Sequence, residues 1–427
     1  GLESISDQPM IEDDHVITYN GEIYNYKELR EILKISGYKF KTNSDTEVIL
    51  NNYLFEKYRK KNSHDFINKL NGIFSFALWD SNKKELLLAR DALGVKPLYY
   101  AETSEGFYFA SEIKALPALG IKLTSINHAA INNYLSYIWS PGVNTPEAKV
   151  FKLEPGELII IKNGKIKSKY SWYKINNKIK KVKSSWKEKD LVLETTKLIR
   201  NAVHKQMVSD VPVGAFLSGG LDSSTVVKFA KEINTNLNCF TIKSSNKSIT
   251  KNDGFAEDYP YALKVSKYLD VPLNVIEVEQ TNLINSLEEM VYQLDEPLAD
   301  PASLNLFMIS SLARKKGFKV LLSGTGGDDI FSGYRRHIAI KNEKYWSWLP
   351  KNSRFLLNQL SNNLPKNKTY LRRISKLFDG SHLDTEERII NYFRWVNQED
   401  LELLYTDKFK KKLNNSSIKN PFKEYLN

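Results

Sequence analysis

Two segments combine glycine, hydroxyl and carboxylate side chains at a spacing that suits an anionic ligand. The first is Ser218-Gly219-Gly220-Leu221-Asp222-Ser223-Ser224, set between an apolar run and a helical pattern. Glycines let backbone N–H groups approach an anion, and a helix start offers free N–H groups and a positive dipole end. The serine hydroxyls add donors, and Asp222 is suited to holding a magnesium ion against phosphates. No Gly-Lys-Ser/Thr follows, so this is not a Walker A loop. The second segment, Ser323-Gly324-Thr325-Gly326-Gly327-Asp328-Asp329, also follows a short apolar run. Alone it reads equally well as a turn. Paired with the first on a neighbouring strand end, it would enclose one nucleotide, with Asp222 and Asp328 facing a shared magnesium ion.

The elements around these loops set the expected architecture. From Trp186 onward helix-like and strand-like segments alternate: strands Val213 to Leu217, Leu237 to Ile242, Leu273 to Val278 and Lys319 to Leu322, with helices Ser223 to Glu232, Tyr259 to Leu269 and Leu304 to Lys316. That rhythm calls for a parallel, doubly wound α/β sheet, which binds ligands at the carboxyl ends of its strands. The first half reads differently. A strand from His15 to Tyr19 leads to an expected turn at Asn20-Gly21, and a helix follows from Tyr26 to Ser36. Ser44-x-x-Glu47 has the pattern of a capping box opening another helix. Strands then follow at Ile73 to Trp79, Leu86 to Ala89, Leu98 to Ala101 and Phe107 to Ala110. A hairpin is expected about Asn163-Gly164. This half is an α+β layered domain. The lysine-dense stretch Lys178 to Lys189 places the boundary near residue 180, giving domains 1–180 and 181–427.

The 427 residues suffice for two cores, and 41% hydrophobic content excludes a disordered chain. No apolar run reaches bilayer length and no charged-then-apolar leader is visible, so the cytoplasm is the expected compartment and no membrane partner is expected. The single cysteine, Cys239, excludes an internal disulfide framework and a multi-cysteine metal site. The net charge of +12 could draw nucleic acid. Without stacking aromatics among the lysines it reads as a solvated surface, and no nucleic-acid partner is expected.

The Ser218 to Ser224 loop resembles the pyrophosphate loop of ATP pyrophosphatases. Together with Asn20-Gly21-Glu22-Ile23-Tyr24-Asn25, Ser44 to Val48, Arg90-Asp91 through Gly94 to Tyr100, and Phe109 to Leu116, it forms an ordered series. Over nearly its whole length the chain resembles the glutamine-hydrolysing asparagine synthetases. The resemblance implies an N-terminal-nucleophile glutaminase domain, layered αββα, followed by the ATP-dependent synthetase domain. The expected reaction adenylates the aspartate side-chain carboxylate and amidates it with ammonia from glutamine, giving asparagine, glutamate, AMP and pyrophosphate. It implies Asn20 and Gly21 as the oxyanion hole, and Glu22 and Asp45 as ligands of the glutamine ammonium. ATP would meet Leu217, Ser218, Gly219, Gly220, Asp222, Ser223, Ser224, Ile242, Ser323 and Gly324. Magnesium would bind Asp222 and Asp328. The halves are expected to pack together around an internal ammonia channel, and a homodimer is compatible with the resemblance.

Three departures qualify the expectation. The family's nucleophile is an N-terminal cysteine, whereas this chain begins with Gly1 and has no cysteine before Cys239. Nor does the family's later lysine-bearing motif occur before Asn427, so the chain is expected to start late, stop early and be inactive as it stands. Many members carry an acidic residue where Thr325 lies, which leaves a uronic-acid sugar or another carboxylate as the alternative acceptor. A non-catalytic nucleotide-binding protein of the same fold is the alternative of a different class.

Overall fold

The strands of the first half all pair antiparallel, and the central ones are apolar runs buried on both faces. The computed structural model describes residues 6–59, 64–175, 185–244, 258–278, 284–365, 367–396, 398–414 and 420–426. The boundary expected near residue 180 lies outside them. The chain divides into two compact units, 1–127 with 142–210, and 128–141 with 211–427.

In the first unit the strands are β1 (Met10–Glu12), β2 (His15–Ile23), β3 (Gly72–Asp80), β4 (Glu85–Arg90), β5 (Tyr99–Glu102), β6 (Phe107–Ala110), β7 (Phe151–Lys152), β8 (Glu157–Lys162) and β9 (Lys165–Ser171). They form a six-stranded sheet, β1-β2-β3-β4-β8-β9, and a three-stranded sheet, β6-β5-β7. Period-two alternation decides what each face covers. Phe76, Leu78, Leu87, Ala89, Leu158 and Ile160 share a core with Leu29 and Leu33 of helix Tyr26–Ile35 and Val48, Ile49 and Tyr53 of helix Asp45–Tyr58. Their neighbours Ala77, Leu88, Ile159 and Ile161 pack instead with Leu98 and with Tyr100 of the small sheet. The far face of that sheet is closed by Tyr99 and Ala101 against Ile113 and Leu116 of the 3-10 segment Ile113–Leu119. The expected four layers are present, the last being this short 3-10 segment.

Two local expectations change. Asn20-Gly21 is not a turn: β2 runs unbroken to Ile23, with Asn20 opposite Ser75 and Gly21 opposite Phe74 of β3. Pairing along all nine residues of β2 overrides the local Asn-Gly preference. At Ser44 the helix does begin, and the Ser44 hydroxyl accepts from Thr46 N–H at 3.0 Å. The reciprocal half of the capping box is absent, because the Glu47 carboxylate accepts from Lys41 and Thr42 N–H, each at 2.7 Å. The Asn163-Gly164 hairpin forms as expected, both residues at positive φ (52° and 72°).

The second unit holds β10 (Val213–Phe216), β11 (Cys239–Ser244), β12 (Leu273–Val278) and β13 (Val320–Leu322), all parallel in the order β12-β11-β10-β13. The chain runs outward from β10 to β12 and then returns to the other side of β10. The strand order therefore reverses between β10 and β13, and a crevice opens at their carboxyl ends. Helix Ala302–Lys315 packs Ile309 and Ala313 on Phe240 of β11. Helix His128–Tyr137 also groups with this unit, as do the short helices beyond Arg335.

Candidate functional site

Ser218, two residues past the end of β10, and Ser323, directly after β13, open the two glycine loops side by side. Backbone proximity is what makes them one site. Gly219 has φ +80°, and a side chain there would overlap the backbone of Tyr261 and Ala262 in helix Tyr259–Leu269. In the second loop a Cβ on Gly324 would lie 2.6 Å from the Ser223 nitrogen, and one on Gly327 would overlap the Asp222 carboxylate. The loops thus touch wherever glycine removes bulk.

Helix Leu221–Lys231 begins inside the first loop, with Gly220 at its N-cap. The Ser218 and Ser223 hydroxyls lie 3.0 Å apart, and Ser224 donates to the Gly220 carbonyl at 2.6 Å. A cleft of about 570 Å³ follows. Leu217, Ser218, Gly220, Asp222, Ser223, Ile242, Ser323, Gly324 and Asp328 all line it. Of the expected nucleotide residues, Gly219 and Ser224 do not; they shape the loop from behind. Burial, followed by the Asp328 charge, raises the Asp222 carboxyl above its usual range. Two carboxylates that penalise each other across a glycine-floored gap suit a divalent cation, and phosphates would complete its oxygen shell.

Sequence reasoning missed several lining residues. Asp258, raised by burial, sits just before helix Tyr259–Leu269. Phe331, Gly333 and Tyr334 come from the segment after the second loop. The only signal for the last three was their nearness to Asp328 and Asp329.

In the first unit, Glu22 and Asp45 line a smaller pocket of about 240 Å³ with Tyr26, Lys27, Asn43 and residues 207 to 210. The Asp45 carboxylate accepts from the Tyr19 hydroxyl at 2.7 Å and from Ile23 N–H at 3.0 Å. These bonds fix it at the end of β2. Glu22 is pushed up to about 7 by burial, then by the Asp45 and Asp210 charges. A cationic group entering the pocket would relieve that repulsion. Asn20 and Gly21 do not line this pocket; the Asn20 side chain is exposed, with its amide 3.4 Å from the Ser111 hydroxyl. The loop after β4 is built around Asp91, whose carboxylate accepts from Phe74, Leu93, Val95 and Lys96 N–H. Cys239 is fully buried and its thiol is pushed up to about 12 by burial, which suits a structural thiol and not a nucleophile.

A family model described as asparagine synthase matches residues 194–421, and one described as a glutamine amidotransferase domain matches residues 1–173. The chain belongs to the asparagine synthase family. Asparagine synthetase [glutamine-hydrolyzing] 1 of Bacillus subtilis is 36% identical over 84% of this chain and 54% of its own length. A putative asparagine synthetase [glutamine-hydrolyzing] 2 of Methanocaldococcus jannaschii is 33% identical over 86% of this chain and 67% of its own length. The chain spans about half the length of the Bacillus relative. Among solved structures, the glutamine phosphoribosylpyrophosphate amidotransferase of Bacillus subtilis is similar at 15% identity, covering 65% of this chain and 52% of that one with a TM-score of 0.29. Among the described residues no helix is long and apolar enough to cross a membrane.

Proposed function

We propose that this chain is the glutaminase and synthetase portion of a glutamine-hydrolysing asparagine synthase, divided between its domains in the lysine-dense stretch near residue 180. The observation that carries the reading is the cleft at the β10–β13 reversal, where two glycine loops meet over Asp222 and Asp328.

In this reading the Ser218 to Ser224 loop cradles the phosphates of ATP, while Leu217, Ile242, Ser323 and Gly324 surround the adenosine. Magnesium, when bound by Asp222 and Asp328, would neutralise charge on the leaving pyrophosphate. An oxygen of the acceptor carboxylate attacks the α-phosphorus, and the bond from that phosphorus to pyrophosphate breaks. Ammonia then attacks the acyl carbon, AMP leaves with the bonding pair, and the nitrogen sheds a proton. The cleft walls of Phe216, Phe240, Leu306 and Ile309 keep water from the acyl adenylate. In the first unit Glu22 and Asp45 take the glutamine α-ammonium, and Asn20 with Gly21 N–H stabilises the tetrahedral intermediate. Each such donor is worth roughly 3–4 kcal/mol. Aspartate is the acceptor.

The test is exchange of labelled pyrophosphate into ATP by the full-length protein, with aspartate and uronic-acid sugars offered in turn. Exchange only with aspartate is the expected result. Exchange with the sugars alone would replace the acceptor, and release of ADP with phosphate would overturn the chemistry.

A further inference from the structure

Beside the second glycine loop lies a cation that none of the motifs accounts for. Arg336 is the second residue of helix Arg335–Asn342, which directly follows the cleft-lining residues Gly333 and Tyr334. Its guanidinium carbon stands 4.0 Å from the centre of the Tyr334 ring and 4.8 Å from that of Phe393. Two rings thus hold the guanidinium between them. One nitrogen, Nη2, reaches Asp329 Oδ1 at 3.4 Å, a long contact that leaves the fork mostly uncommitted. Arg336 Nε is buried and has no hydrogen-bond partner among the described residues. The side chain as a whole is 30% exposed, so the outer guanidinium nitrogens stay open to a ligand.

Tyr334 feels the charges of Asp329, Asp328 and Asp222 and, with opposite sign, that of Arg336, which places the arginine beside the same carboxylates. The backbone between the two carboxylates and the arginine is held tightly. Gly333 N–H donates to the Asp328 carbonyl at 2.8 Å, and a side chain on Gly333 would overlap the Asp328 carboxylate. Ser332 takes φ +60°, a left-handed backbone that serine adopts only when neighbours impose it. Asp328 and the Arg336 support are therefore fixed relative to one another.

We propose that Arg336 is a binding residue for the pyrophosphate end of the nucleotide, a role that rests on the nucleotide reading of the cleft. Its planar fork matches two oxygens of one phosphate group, and the aromatic clamp removes most of the entropy lost on binding.

Titration calorimetry with magnesium ATP, magnesium pyrophosphate and AMP tests this on the purified chain. Arg336→Gln is expected to weaken pyrophosphate and ATP about tenfold or more while leaving AMP unchanged. Arg336→Lys, which keeps the charge and loses the fork, should recover part of that loss and guards against a folding artefact in the glutamine variant. Pyrophosphate binding unaltered in Arg336→Gln overturns the proposal, as does an equal loss for AMP. Weakened aspartate binding with ATP untouched would assign the arginine to the acceptor and overturn it too. If the unaltered protein binds neither ATP nor AMP, the nucleotide reading falls and this inference with it.

Discussion

The two sites are built from different parts of the chain's chemistry. In the nucleotide cleft the decisive groups are backbone: Gly219, Gly324 and Gly327 let main chain approach main chain or carboxylate where no side chain would fit. In the small acidic pocket the decisive groups are side chains held by a sheet, with Asp45 tied to Tyr19 and to the end of β2. A backbone site fails abruptly when one atom is added. A side-chain site fails gradually, because each carboxylate has partners that share the load.

That contrast is open to attack at three points. The largest effect is expected at Gly219→Ala, which combines positive φ with overlap onto helix Tyr259–Leu269. Binding of magnesium ATP by calorimetry should disappear, and the second unit should lose several kcal/mol of stability, about 3 or more. Near-normal ATP binding in this variant would show that the loop is not fixed by close approach. Next come Asp222→Asn and Asp328→Asn. Each should remove the magnesium dependence of ATP binding, about tenfold or more, while circular dichroism and the melting of the first unit stay unchanged. Should either asparagine variant bind ATP with full magnesium dependence, the paired-carboxylate site is wrong.

The smallest effect belongs to Glu22. Its carboxyl is raised from 4.5 to about 7, so the folded state holds a proton that the unfolded chain releases. Stability contributed by this group therefore falls as pH rises from 4.5 to 7 and is level outside that window. Carbon-detected titration of Glu22 should give a midpoint near 7, and Asp45→Asn should move it downward by removing a neighbouring charge. A midpoint unmoved by that substitution would mean that burial and the Asp210 charge set it without Asp45. Cation binding in the pocket, glutamine included, should weaken as pH falls below 7.

The same contrast explains what was legible in the sequence. The glycine loops were readable because glycine declares a backbone requirement at the position where it occurs. Strands Phe107–Ala110 and Leu273–Val278 and helix Tyr259–Leu269 were also readable, since their periodicity is local. Asn20-Gly21 misled, because its fate is decided by Ser75 and Phe74, more than fifty positions away. Glu47 carries a capping pattern, yet its carboxylate is claimed by Lys41 and Thr42, which only the fold brings within reach. Asp258, Tyr334 and Arg336 went unnoticed for the same reason. Nothing in their own neighbourhoods announces that strand order reverses beside them. Helix His128–Tyr137 lies apart from the rest of its unit in sequence. With Ile138 just after it, the helix bonds to Ala299, Trp395, Tyr405 and Asn420, so the segment follows partners far along the chain.

Cys239 gives the molecule a built-in clock. It is the one sulfhydryl in the chain and pairs in register with Ala215 on one side and Leu273 on the other, at the middle of the parallel sheet. A thiol reagent can reach it only after the packing that buries this face of β11 opens. The rate of labelling in native buffer, compared with that of a free thiol, therefore measures how often the floor beneath the nucleotide loop opens. No engineered probe is needed, and any ligand that grips the loop should slow the clock by its own binding free energy.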